Sequence, residues 1–235
     1  MNSPHTLQSV RIWDLPTRVF HVLLITCIAG LVITGEFAED AMSLHFWFGY
    51  AVLSLVLFRI VWGFVGGHWS RFVHFIPSVS SLKDYFDVLT TQPSKPHIGH
   101  NPFGALSVVA MLLLLLVQVF TGFMSDDEIS TTGPWVALVP SAWVSLATQY
   151  HGDIGKVLIL VLITIHIAAV LYYKRIKHDD LITPMVNGNK TLPSDTPPSR
   201  DSATSRLFAL GVLIACAYVV YRLVHLNSLA LGLSQ

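Results

Sequence analysis

Five stretches of this 235-residue chain are apolar for long enough to cross a lipid bilayer, which takes about 20 residues of helix. They run from Val19 to Gly35, His45 to Val65, Phe103 to Met124, Tyr150 to Tyr173 and Leu207 to Leu226. Backbone groups in hydrocarbon must be satisfied within their own segment, so each run is predicted to be a helix. Charged residues make up 12% of the chain, against roughly 25% in a soluble domain, too few to cover a water-facing surface. The expected class is an all-α membrane protein. The run from Val19 is read as a retained span, because it follows a polar 18-residue leader and lacks a small-x-small cleavage site. Net charge is zero, so no basic field invites nucleic acid. Cys27 and Cys216 both lie in apolar runs, which excludes a disulfide scaffold, a zinc ribbon and covalent haem attachment through C-x-x-C-H.

The loops predict direction. Arg11 and Arg18 precede the first run, Arg71, Lys83 and Lys95 follow the second, and Lys174, Arg175, Lys177, Lys190, Arg200 and Arg206 follow the fourth. These 11 basic residues fall on one side, against Arg222 alone on the other, which places the N-terminus in the cytoplasm and the C-terminus outside. The opposite loops carry Glu36, Glu39, Asp40, Asp126, Asp127 and Glu128, an acidic rim suited to a basic partner or simply to water. The string WVALVPSAW is too short to span and is expected to rest at the outer interface, where tryptophans gather. Residues 178–205 are rich in Pro, Ser, Thr and Asp and read as a flexible cytoplasmic linker. The expected order is a leader (1–18), a four-helix domain (19–177), the linker, and a fifth helix with its tail (206–235).

Eleven histidines are many for so apolar a chain. His5, His68, His74, His97, His100 and His178 fall in the leader or cytoplasmic loops, and His225 at the outer end of the fifth run. His21, His45, His151 and His166 lie within spans, where ionisable groups are costly and mark function by default. Their heights form two levels: His21 and His166 toward the cytoplasmic ends of their helices, His45 and His151 at the outer ends. His151 and His166 are 15 residues apart, about 22 Å of rise and four turns plus about 60°, so both lean to one side of their helix. Paired imidazoles from different helices suit a six-coordinate haem. Gly49 and Gly155 each follow an outer histidine by four residues and leave space on its face. No Asp, Glu or Cys stands at matching depth to complete a zinc or copper site.

The strings RIWDLPTRVFH, LHFWFGYAVLSLVLFRIVWGFVGGHWSRF, GHNPFGALSVVAMLLLLLVQVFTGF and HGDIGKVLILVLITIHIAAVLYY, in this order, resemble the bacterial cytochrome b561 and nickel–iron hydrogenase b-type cytochrome family over residues 10–185. The resemblance implies a four-helix bundle with two non-covalent b haems in a bacterial inner membrane. In it His21 and His166 hold the cytoplasmic-side haem, and His45 and His151 the periplasmic-side one. It implies quinone as the small-molecule substrate and a redox protein as partner. The fifth helix and its linker depart from the family pattern. Arg18, three residues before His21, is a candidate for a haem propionate or a loop anchor; Arg59 is either a second such group or a snorkelling side chain. Asn101 and Pro102 read as the cap and first residue of the third helix, with a quinone site near His100 as the other reading.

Three functions remain open from the sequence. The chain passes electrons between quinone and a periplasmic cytochrome, which the acidic loops favour. It is instead the membrane anchor of a periplasmic hydrogenase. Or it is a histidine-dependent transporter or structural protein without haem. Lipid surrounds it in each case, and a second copy of the chain is a further candidate partner.

Overall fold

The computed structural model describes residues 6–36, 41–78, 98–127 and 131–226. His5, Glu39, Asp40, Lys83, Lys95, His97 and Glu128, named above, lie outside them. Five described helices are long and apolar enough to cross a membrane: α1 (Leu15–Glu36), α2 (Met42–Val65), α3 (Pro102–Phe123), α4 (Ser141–Arg175) and, after a short helix α5 (Ile182–Asn187), α6 (Ala203–Val224). The chain is therefore a multi-pass, all-α membrane protein. Hydroxyls inside the spans return to their own helix: Thr26, Ser54 and Thr121 each donate to the carbonyl four residues earlier, at 3.0, 2.8 and 2.8 Å.

Two compact units divide the chain, the first holding residues 1–20, 59–110 and 164–210, the second residues 21–58, 111–163 and 211–235. In the first, β1 (Leu7–Arg11) pairs antiparallel with β2 (Asn189–Pro193), Leu7 opposite Pro193 and Arg11 opposite Asn189. Val10, Ile12, Trp13 and Leu192 form a small core, with Trp69, Ile98 and Met185 packed against it. The Trp69 indole donates to the Pro197 carbonyl at 2.8 Å, and the Ser199 hydroxyl to the Ile12 carbonyl at 2.6 Å. The segment expected to be a flexible tether is thus folded onto the leader. Its composition lacks hydrophobic periodicity, but its backbone groups find partners 180 residues upstream.

Asp14 organises the entry to α1. It is fully buried, and its carboxylate accepts from the Thr17 backbone N–H (2.8 Å), the Trp62 indole (3.2 Å), the Gly67 N–H (3.1 Å) and the Ser70 hydroxyl (2.8 Å). As the cap it starts α1 at Leu15, four residues before the apolar run begins. Asp201 accepts from the Leu15 N–H at 3.1 Å and from Arg206 Nε at 2.9 Å, so the start of α6 is tied to the start of α1. The rings of Trp62 and Phe208 lie 6.3 Å apart.

The second unit is built around the buried Val52, Leu53 and Val56 of α2. The Trp135 indole stacks on Phe120 and donates to the Leu223 carbonyl at 2.8 Å, satisfying a last-turn acceptor of α6. The interfacial segment expected at WVALVPSAW divides differently. Val136–Leu138 is one tight turn, Pro140 stands at the cap, and Ser141–Gln149 already belongs to α4. Nothing in the sequence stops that helix until the glycines of YHGDIG, which bend it into a π turn (Tyr150–Gly155) instead of ending it. At 35 residues α4 is about 52 Å long, well beyond the roughly 30 Å of hydrocarbon. A π turn rotates less per residue than an α turn, so the 60° offset reckoned along a uniform helix does not apply across it.

Candidate cofactor site

His45, one turn into α2, and His151, in the π turn of α4, come together in the second unit with ring centroids 6.1 Å apart and planes at 76°. Two imidazoles bound through Nε2 on opposite sides of one metal, with bonds of about 2 Å, have centroids about 6 Å apart. The distance fits one iron between them.

The remaining nitrogen of each ring is already engaged. His151 Nδ1 lies 2.8 Å from the Gln118 carbonyl of α3, which can only accept, so Nδ1 carries the hydrogen. His45 Nδ1 lies 3.2 Å from the Thr34 hydroxyl of α1. An outer hydrogen bond of this kind fixes the tautomer and leaves Nε2 as the metal-binding atom. Gln118 also donates its side-chain amide to the His151 carbonyl at 2.8 Å, so one residue grips both ends of the histidine. That carbonyl is one whose helical partner the π turn displaces.

Two glycines let the rings approach their neighbours. A Cβ at Gly122 would fall 2.7 Å from His151 Cε1, and one at Gly35 would fall 3.1 Å from His45 Cε1. The glycines chosen from the sequence behave differently from each other. Gly49 has open space on its face, consistent with room beside His45. Gly155 does not, because the Gln118 amide and the Tyr150 ring occupy that space; its role is close helix packing. Sequence reasoning passed over Thr34, Gln118, Gly35, Gly122 and Lys156. A lone amide inside AMLLLLLVQVF was the available signal, since an uncharged polar group in a span needs a partner too. Lys156, one turn after His151, pairs with Glu36 at 2.6 Å and neutralises one acid of the expected rim.

His21 stands half-buried on α1 in the second unit, and His166 half-buried on α4 in the first. Arg18 Nη1 donates to the Val186 carbonyl at 2.6 Å, a loop contact, while its buried Nε has no hydrogen-bond partner. Arg59 does not snorkel. It is 3% exposed, with its guanidinium 5.2 Å from the Phe72 ring and 5.7 Å from the Phe75 ring. Its Nη1 is buried without a hydrogen-bond acceptor, a donor suited to an anionic group such as a propionate. Asn101 accepts from the Gly104 N–H at 2.7 Å as the cap of α3, and His100 packs on Trp13 and Phe75, with ring centroids 4.9 and 4.7 Å away. The cap expected at GHNPFG is present.

A family model described as prokaryotic cytochrome b561 matches residues 12–188. Curated relatives include a probable Ni/Fe-hydrogenase B-type cytochrome subunit of Rhizobium leguminosarum bv. viciae, 24% identical over 78% of this chain and 89% of its own length. The protein of that name from Rhodobacter capsulatus is 26% identical over 80% of this chain and 83% of its own. The probable Ni/Fe-hydrogenase 1 B-type cytochrome subunit of Escherichia coli (strain K12) is 24% identical over 77% and 90%. No solved structure matches.

Proposed function

The chain belongs to the prokaryotic cytochrome b561 family, and from that membership we propose that it carries electrons across the membrane on two b haems, between quinone and a redox protein. The observation that carries this reading is the close pair His45 and His151, each with Nδ1 engaged and Nε2 left for iron. His21 and His166 hold the second haem, a reading supported by their common depth in the sequence and by the family resemblance. Haem supplies reversible one-electron chemistry when bound. The protein's part would be to hold each haem between two imidazoles, His45 with His151 and His21 with His166, and to keep water away with packed helices. A transporter without haem loses its support with the family assignment.

The partner is best read as a hydrogenase. Relatives over most of the chain carry that name, and the acidic rim that favoured a basic cytochrome is weakened by the Glu36–Lys156 pair. The basic bias of the loops supports a cytoplasmic N-terminus in a bacterial inner membrane. Purified protein should be red, with two haems per chain. His45→Ala and His151→Ala should each lose the same haem, and His21→Ala and His166→Ala the other, as read from visible spectra. Colourless protein would end the proposal, and haems that quinol does not reduce would remove quinone from it.

A further inference from the structure

We propose that Thr34 is a positioning residue that sets the tautomer and the ring plane of His45, so that the two imidazoles of the pair stand crossed; this rests on the reading of His45 and His151 as axial ligands. Thr34 is buried, and its hydroxyl has three neighbours at unequal distances: the Gly30 carbonyl at 2.7 Å, His45 Nδ1 at 3.2 Å and the Leu31 carbonyl at 3.4 Å. A hydroxyl has one hydrogen and two lone pairs. The shorter contact is to an atom that can only accept, so the hydrogen goes to Gly30 and a lone pair faces the imidazole. Thr34 therefore accepts from His45 Nδ1–H. Were the hydroxyl to donate to His45 instead, Nε2 would carry the proton and could not bind iron, and the Gly30 carbonyl would lose its donor.

The ring is walled as well as bonded. A Cβ at Gly35 would fall against Cε1. Across from it His151 is held by the Gln118 carbonyl and by Gly122. Each ring thus has a bond and a wall of its own, and the 76° between the planes follows from where those supports stand. Of the two groups that accept from an Nδ1–H, only Thr34 does so with its side chain, so it is the one substitution can remove.

Crossed imidazoles on low-spin ferric iron leave two d orbitals nearly equal in energy, whereas parallel ones split them. The first gives a strongly anisotropic electron paramagnetic resonance signal with a single large g value, the second a rhombic one. In the purified full chain one haem should show the anisotropic form. Thr34→Val keeps the shape of the side chain and removes the acceptor of the His45 Nδ1–H. That signal should move or broaden while the other haem is unchanged, with outer-haem affinity lowered about 10- to 100-fold, the usual range for a residue that supports a ligand. Thr34→Ser should restore both. If Thr34→Val does not assemble, Thr34→Ala gives the same reading without the branched methyl. A valine or alanine variant with full haem and an unaltered signal would overturn the proposal, as would failure of serine to restore it. The underlying assignment fails differently, by His45→Ala retaining two haems or by wild-type protein holding none.

Discussion

At the scale of single residues, the second unit is governed by what is missing from a side chain as much as by what is present. Gly122 is the sharpest case, because His151 lies where its Cβ would be. Gly122→Ala should push the ring off the Gln118 carbonyl and spoil its approach to His45. Overpacking of this kind costs about 1–3 kcal/mol, and displacement of a ligand more than that in cofactor affinity. The expected outcome is one haem per chain in place of two, measured as haem against protein, with the spectrum of the remaining haem unaltered. Full haem content would show that α3 and α4 separate at little cost and that the glycine is not needed. The nearness of His45 and His151 was legible in the sequence, because an imidazole inside a span is expensive and the two stood at one height. Their supports were not. A threonine in a membrane helix ordinarily bonds back to its own helix, and Thr34 does so as well; only the fold shows that its other lone pairs are used.

At the scale of elements, the five spans follow from length and apolarity, and their ends shift by only a few residues except at α4, where a π turn joins two helical stretches that look separate. The segment between α4 and α6 was the larger misreading. Strand pairing between β1 and β2 links residues about 180 apart, and no local pattern in either strand announces the other. What fastens this element is largely polar. The Asp201 carboxylate is 7% exposed; burial works to raise its pKa, but the Arg206 side chain, the Leu15 N–H and Arg11 together outweigh it and hold the group below the ordinary carboxylate value. A carboxyl depressed in the folded state contributes stability above its unfolded pKa, about 3.9, and that contribution is lost as pH falls through the lower folded value. Asp201→Asn should therefore lower the unfolding free energy at pH 7 by about 1–3 kcal/mol. Below about pH 4 the wild type should fall toward the variant. Thermal melts from pH 7 to pH 3 in detergent would measure both, and parallel curves across that range would show that the clamp carries no charge-dependent stability.

At the scale of the whole molecule, contacts within each unit test the number of crossings independently of hydropathy. Asp14, before any span, meets Gly67 and Ser70 after two, and β1 meets β2 after four. Glu36, after one span, meets Lys156 in the fourth, directly after its π turn, and Trp135, after three, meets Leu223 at the end of the fifth. Even crossings meet even and odd meet odd, which is what five complete spans require. Lys156 adds a basic residue to the odd side, so the bias between the sides becomes 11 to 2, which still supports the orientation proposed above. Cys27 and Cys216 are buried in spans and give little background to a water-borne thiol reagent. Single cysteines at Ser141 and Ser194, both exposed, then report the two sides. In intact spheroplasts an impermeant maleimide should label Ser141→Cys and spare Ser194→Cys, and permeabilisation should expose the second. The reverse pattern would invert the orientation while leaving the crossings in place. Equal labelling of both would be incompatible with five spans, because Ser141 opens α4, Ser194 follows it, and no other span comes between them.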